Sequence, residues 1–352
     1  MIAVGFLVGL VLLILGADLL VRGASRLAVS VGVAPLVIGL TVVAFGTSAP
    51  ELAVTIGAGL QGKVDLSVGN VVGSNIFNVL FILGVSALIY PLAVDQKLVR
   101  TEVPLMVGVS LLLLWVSSGG GISRLEGILL VVGLAGYLVF LFARGSREGP
   151  EIIREYGEAF GQAARGRRRV VDVVKIAAGL GALVLGADQL VDASVEVARR
   201  LGVDELLIGL TLVSAGTSLP EVATSVVAAF RRELDIAVGN VVGSNVFNVL
   251  GVLGLGAAIT PGGLPVAAEA FRFDLWVVLL SGLVCLPVFI SGARISRREG
   301  VGFLIGYTSY IVLIYLRAQG AGPTWLEPGL LLIGLVRVLL LLIAAWRYRT
   351  PN

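Results

Sequence analysis

The chain has 352 residues, 57% of them hydrophobic and 14% charged, with a mean hydropathy of +1.01 and a formal net charge of +3. A soluble domain carries about 25% charged residues, so these values exclude a water-soluble globular protein and imply a polytopic membrane protein of roughly ten to twelve helices at about 20 residues per crossing. Histidine is absent, which removes the commonest transition-metal ligand and the usual proton shuttle, so any metal site must be built from oxygen.

The basic residues mark loops rather than a soluble face, and no nucleic-acid partner is expected. Cys285 stands alone in an apolar run and reads as a small core residue. The first apolar run begins at Ile2 with no basic segment before it and no small-residue cleavage site after it, so the first helix is expected to be retained.

In chain order, apolar runs bounded by charge or by Gly/Pro clusters predict spans from Ile2 to Val21, Ala34 to Leu60, Asp65 to Tyr90, Thr101 to Ser118 and Leu125 to Ala143. A polar stretch follows, with apolar residues at helical spacing from Ile152 to Ala163, which reads as a short amphipathic helix on the membrane face. Five more spans are predicted from Val171 to Val191, Glu205 to Phe230, Asp235 to Thr260, Phe273 to Ser291 and Glu299 to Leu316, and an eleventh from Glu327 to Trp346, with Arg337 near its middle.

The two sets of five are copies. Gly46-Thr-Ser-Ala-Pro-Glu51 returns as Gly216-Thr-Ser-Leu-Pro-Glu221, and the string from Gly69 to Leu80 returns from Gly239 to Leu250 with one substitution, both 170 residues later. Gly16-Ala-Asp18 matches Gly186-Ala-Asp188 at the same offset. Because each copy has an odd number of helices, the second must enter the membrane from the opposite side.

The expected organisation is all-α: two inverted five-helix repeats, 1–143 and 171–317, joined by a cytoplasmic loop, 144–170, and followed by an additional transmembrane helix in 318–352. With the joining loop inside, inner loops hold 18 of the 26 basic residues and outer loops 6. This predicts an outside N-terminus and a cytoplasmic C-terminus in a cell (inner) membrane.

Glu51 and Glu221 fall well inside predicted spans, where an ionised carboxylate costs several kcal/mol, at least ~2.5. The ten repeat helices offer no basic residue at that depth. Each acid follows a proline, Pro50 or Pro220, which removes an N–H donor from the carbonyl of Gly46 or Gly216. Irregular backbone at membrane depth is tolerated where it is buried or lines a cavity.

Thr47, Glu51 and Thr55 share one helix face, as do Thr217, Glu221 and Ser225. Asn70, Ser74 and Asn78 repeat the spacing on the next helix, as do Asn240, Ser244 and Asn248. Singly, such hydroxyls commonly bond within a helix or to a neighbour; four stripes converging on two acids form a candidate cation site. Two carboxylates with amide, hydroxyl and carbonyl oxygens suit calcium or sodium better than magnesium, which sheds water reluctantly. Asp65 and Asp235 are expected to cap their helices or to face the entry vestibule, while Asp18 and Asp188, near helix ends, are expected to be structural.

The paired Gly-Thr-Ser-x-Pro-Glu and Gly-Asn-Val-Val-Gly-Ser-Asn-x-Phe-Asn motifs resemble the alpha repeats of the calcium/cation antiporter superfamily, in particular prokaryotic sodium/calcium exchangers. The resemblance runs from Ile2 to about Leu316 and leaves the terminal helix outside the ten-helix core. It implies an antiporter rather than an enzyme, with calcium and sodium as transported ions, no cofactor, the bilayer as its surroundings and a monomer sufficient for transport.

It also implies that Glu51 and Glu221 hold the ions midway through the membrane, with Thr47, Thr217, Ser48, Ser218, Ser74, Ser244, Asn78 and Asn248 around them, joined by the carbonyls of Ala44 and Ser214. Alternating access then comes from the first and sixth helices sliding across the core. Asn78 and Asn248 are both neutral where potassium-dependent exchangers carry an aspartate, and the absent histidines speak against proton-coupled relatives. A proton-coupled calcium or manganese antiporter is the alternative. An intramembrane hydrolase and a passive channel are lesser ones, lacking respectively a catalytic companion for the acids and a reason for two occluded carboxylates.

Overall fold

The computed structural model describes residues 2–94, 98–145, 167–200, 214–290 and 294–318. Among them, eight unbroken helices are long and apolar enough to cross a membrane, and the pair Pro35–Thr47 and Ala49–Leu60, bent by 43°, passes the same test when taken together as one broken span.

The first helix, Ile2–Val31, packs along the helix Arg167–Arg200. Gly9 faces Gly186 and Leu190, Gly16 faces Gly179 and Leu183, and Gly23 faces Asp172 and Ile176. Rising numbers on one helix meet falling numbers on the other, so the two run antiparallel. The glycines recur every seven residues and bring the backbones into contact: a Cβ on Gly16 would lie 2.8 Å from the Gly179 carbonyl oxygen. Small residues allow such approach where the hydrophobic effect supplies no drive between helices.

Inside this pair lie the helices that carry the repeated motifs. Leu66–Ile89 and Leu234–Ile259 are buried over most of their length. Each contains a π-helical turn, at Phe77–Ile82 and Asn248–Leu253, a device that recurs at functional sites. Gly239 and Gly243 let the backbone of Leu36 and Leu40 approach Leu234–Ile259, a Cβ on Gly243 standing 2.7 Å from the Leu40 carbonyl oxygen.

Four two-residue strands report the inversion directly. β1 (Leu92–Ala93) pairs antiparallel with β4 (Arg294–Ile295), and β2 (Gly121–Ile122) with β3 (Leu264–Pro265). The loop between the third and fourth helices of each half thus meets the loop between the fourth and fifth helices of the other. That pairing is open only to halves of opposite orientation.

Several boundaries differ from expectation. The first helix continues to Val31, ten residues beyond Val21, and the sixth runs from Arg167 to Arg200 rather than Val171 to Val191. Arg22 and Arg26, beyond the expected end of the first span, are therefore helical. Arg22 and Lys175 each pair with an acid one turn away, Asp18 and Asp172, which offsets the cost of charge on an apolar helix.

Asp18 accordingly stands inside a 30-residue helix rather than near its end. Asp235 lies in the first turn of its helix, with Glu233 at the cap position, and Asp65 likewise follows a helix start capped at Lys63; neither is the cap residue. The expected eleventh helix with Arg337, residues 205–213 of the seventh span and the amphipathic stretch 152–163 lie outside the described residues.

Candidate functional site

Both Pro-Glu helices begin at a serine. Ser48 (φ −81°, ψ 8°) separates Ala44–Thr47 from Ala49–Leu60, and Ser218 (φ −89°, ψ 6°) separates Ser214–Thr217 from Leu219–Arg231. These near-identical values lie in the sparsely allowed bridge region. The proline falls at the second position of the new helix, where its missing N–H is least costly, and the glutamate at the third. Glu51 and Glu221 therefore sit at a helix N-terminus, whose partial positive charge favours a carboxylate.

Both glutamates are fully buried, and each is held by a serine of the opposite half. Ser218 Oγ donates to Glu51 Oε1 at 2.8 Å, and Ser48 Oγ donates to Glu221 Oε1 at 3.0 Å. Ser74 Oγ adds a longer bond to Glu51 Oε1, 3.3 Å, and Ser218 Oγ lies 3.0 Å from Ser74 Oγ.

A second layer fixes the backbone beneath the acids. Asn70 Nδ2 donates to the Glu51 carbonyl (3.3 Å) and to Thr55 Oγ1 (3.2 Å), while its Oδ1 accepts the Thr217 hydroxyl at 3.2 Å. Its copy Asn240 donates to the Glu221 carbonyl (3.5 Å) and Ser225 Oγ (3.0 Å) and accepts the Thr47 hydroxyl at 3.1 Å. Each asparagine so ties its own half's acid-bearing turn to the threonine of the other half.

The atoms left over define what the site can hold. Glu51 Oε2, Glu221 Oε2, Asn78 Oδ1 and Nδ2, Asn248 Oδ1 and Ser244 Oγ are buried without a hydrogen-bond partner among the described residues. A buried polar group without a partner costs about 1–3 kcal/mol, more when charged. All but one of these atoms can accept, and no lysine or arginine pairs with either glutamate among the described residues. An acceptor-rich cluster around two carboxylates is matched to a cation.

The structure gathers Glu51, Ser218, Ser74 and, through Asn70, Thr217 into one hydrogen-bonded network, and Glu221, Ser48 and, through Asn240, Thr47 into its counterpart, each drawing on both halves. Asn78 and Asn248 lie at the starts of the paired π-turns, buried like Ser244. The Ala44 carbonyl accepts the Ser48 amide at 3.0 Å and the Thr47 hydroxyl at 3.4 Å, and so serves the helix end first. Ser214 opens its helical segment.

Asn70, Asn240, Thr55 and Ser225 were visible as polar stripes but not as the layer that braces the acids. Ser67, whose hydroxyl donates to the Thr55 carbonyl at 2.9 Å, and Asn75, which reaches across the halves, carried no separate signal beyond, for Asn75, its place in the repeated string.

Two halves of opposite orientation meeting at a buried, doubled oxygen cluster make this a secondary transporter of the cation antiporter class. The family described as sodium/calcium exchanger protein matches residues 1–143 and 172–316, and the chain belongs to it. It is 39% identical over 314 residues to CaxA of Alkalimonas amylolytica, covering 88% of this chain and 97% of that one. It is 34% identical over 350 residues to the sodium/calcium exchanger MaX1 of Methanosarcina acetivorans, covering 90% and 99%.

Among solved structures, the sodium-calcium exchanger NCX_Mj soaked with 10 mM Na+ and zero Ca2+ superposes with a TM-score of 0.77 at 31% identity, over 89% of this chain and 99% of that one. The protein is a multi-pass membrane transporter and not an enzyme, which sets aside the intramembrane hydrolase.

Proposed function

We propose that the chain exchanges sodium for calcium across the membrane by alternating access, with ions held between Glu51 and Glu221. The observation that carries this reading is the set of buried, unpartnered oxygens on both glutamates and on Asn78, Asn248 and Ser244. Calcium takes about six to eight oxygens at flexible geometry, and the two halves offer such atoms in symmetric pairs. Thr47, Thr217, Ser48, Ser218 and Ser74 complete the binding set through oxygens that retain a lone pair, and the Ala44 and Ser214 carbonyls close it from the helix breaks.

Two carboxylates carry a formal −2, which one calcium neutralises. Three sodium ions in its place leave +1, and moving that charge is worth about 2.3 kcal/mol per 100 mV, so exchange by this scheme is electrogenic. The helix pair Ile2–Val31 and Arg167–Arg200 packs flush along a glycine seam and flanks the site-bearing helices, which suits a unit that slides over a fixed core. The basic-residue count places the N-terminus outside and the joining segment in the cytoplasm.

The test is calcium uptake into proteoliposomes under an outward sodium gradient, repeated with a pH gradient alone and with Glu51→Gln. Sodium-driven uptake, lost in the variant, is the expected result. Uptake driven by the pH gradient alone replaces sodium coupling with proton coupling.

A further inference from the structure

Besides Ser74, which bonds Glu51 where its copy Ser244 bonds neither acid, the two halves of the site differ at their asparagines. Asn78 and Asn248 are copies, and so are Asn75 and Asn245, yet their hydrogen bonds are not. Asn248 Nδ2 donates to Asn75 Oδ1 at 3.0 Å, and Asn75 Nδ2 donates onward to the Asn245 backbone carbonyl at 3.4 Å. Asn245 instead turns back on its own helix, donating to the Val241 carbonyl at 2.8 Å. Asn78 has neither side-chain atom bonded among the described residues.

A primary amide presents an acceptor on one side and donors on the other. Beside a cation only the acceptor side is useful, and a turn of about 180° replaces attraction by repulsion. With its Nδ2 occupied by Asn75, Asn248 must direct Oδ1 away from that contact, and Oδ1 is one of the buried acceptors without a protein partner. Asn75 in turn can only accept there because its own Nδ2 is engaged by the Asn245 carbonyl. The four residues are buried, so water does not compete for these bonds.

We infer that Asn75 is a positioning residue: it holds the amide of Asn248, in the opposite half, with its oxygen toward the cation site. This inference rests on the central-site reading and adds an asymmetry to it. The second-half amide is preorganised, which lowers the cost of binding, whereas Asn78 has no bond among the described residues to keep it from turning. The two pseudo-symmetric positions are then unequal in affinity although their residues are the same.

The test is a double-mutant cycle read by equilibrium binding of radiolabelled calcium, with sodium as competitor, to the purified full chain. Asn75→Ala is expected to raise the calcium half-saturation concentration by on the order of two- to tenfold, the range of one net hydrogen bond. In the Asn248→Asp background both terminal oxygens are acceptors and there is no side to choose, so Asn75→Ala is expected to change half-saturation by less than about twofold.

Asn245→Ala, which keeps the backbone carbonyl that Asn75 uses, is expected to bind as the parent does. Thermal unfolding without ions is run on each variant to compare folding. An equal factor in both backgrounds, or no effect in either, overturns the inference. Glu51→Gln binding calcium normally overturns the site itself, a result separate from either.

Discussion

Ser218 Oγ stands 2.8 Å from Glu51 Oε1, a bond between the first residue before one half-helix and the third residue of the other. Ser48 and Glu221 repeat it at 3.0 Å. Each half therefore supplies the donor that holds the other half's acid, and the site exists only where the inverted halves meet. A hydrogen bond to a charged group is worth about 1.5–3 kcal/mol. Ser218→Ala is expected to weaken calcium binding by on the order of tenfold or more, and by more than Ser74→Ala, whose bond to the same oxygen is 3.3 Å. Equal losses in the two variants, measured by calcium titration, count against the reciprocal arrangement.

The glycine seam gives a stability prediction with an internal control. A Cβ at Gly16 meets the Gly179 carbonyl oxygen at 2.8 Å and the Leu183 amide nitrogen at 2.9 Å. Both obstacles are backbone, so neither can rotate aside. Overpacking of this kind costs about 1–3 kcal/mol, and Gly16→Ala is expected to lower the thermal midpoint in detergent. Gly108 lies in the helix Val103–Ser117 with no neighbour within 4 Å of its Cβ position among the described residues. Gly108→Ala is expected to be neutral or stabilising, since alanine loses less backbone entropy.

Much of this molecule was readable from residue order. Helical periodicity exposes which side chains share a face, and the offset of 170 exposes the inversion, so the spans among the described residues, the two buried acids and the polar stripes followed from the sequence. What periodicity does not carry is the partner across the chain. Asn70 and Ser74 look alike on one stripe, yet Asn70 bonds the backbone of Glu51 and the Thr217 hydroxyl while Ser74 bonds a carboxylate.

The π-turns at Phe77 and Asn248 escaped notice because one inserted residue shifts the register without leaving a compositional mark. The seam of Gly9, Gly16 and Gly23 was hidden for another reason: in an apolar run, glycine reads as merely small until the opposing backbone is in place.

Asp18 makes an ion pair with Arg231, joining the first helix to the end of Leu219–Arg231, and a second with Arg22 at 3.0 Å. At the 170-residue offset the matching positions are Asp188 and Gln61, so this link is built at one face of the membrane only. The groups are partly exposed, and such pairs contribute about 0.2–1 kcal/mol. Asp18→Asn is expected to destabilise more than Arg231→Gln, because it leaves two guanidinium groups without their shared acid. The double variant is expected to cost less than the sum of the two. Strict additivity of the three unfolding free energies removes the link from any role in holding that face together.

Away from the site, each half staples its fourth helix to its fifth by an acid–tyrosine bond. Tyr137 Oη donates to Glu102 Oε2 at 3.0 Å, and Tyr310 Oη donates to Asp274 Oδ1 at 3.2 Å. Both acids end a π-turn, Leu98–Glu102 or Ala270–Asp274, so the staple fixes the point at which each helix enters its regular α-helical stretch. Glu102 is 4% exposed, whereas Asp274 is only partly buried, so the first bond is the better shielded. A hydrogen bond to a charged group is worth about 1.5–3 kcal/mol, and more of that is realised where the group is buried. Tyr137→Phe is therefore expected to lower the unfolding midpoint, and Tyr310→Phe to lower it less. Because neither tyrosine touches Glu51 or Glu221, calcium affinity in both variants is expected to match the parent, and a selective loss of affinity in Tyr137→Phe contradicts a purely scaffolding role.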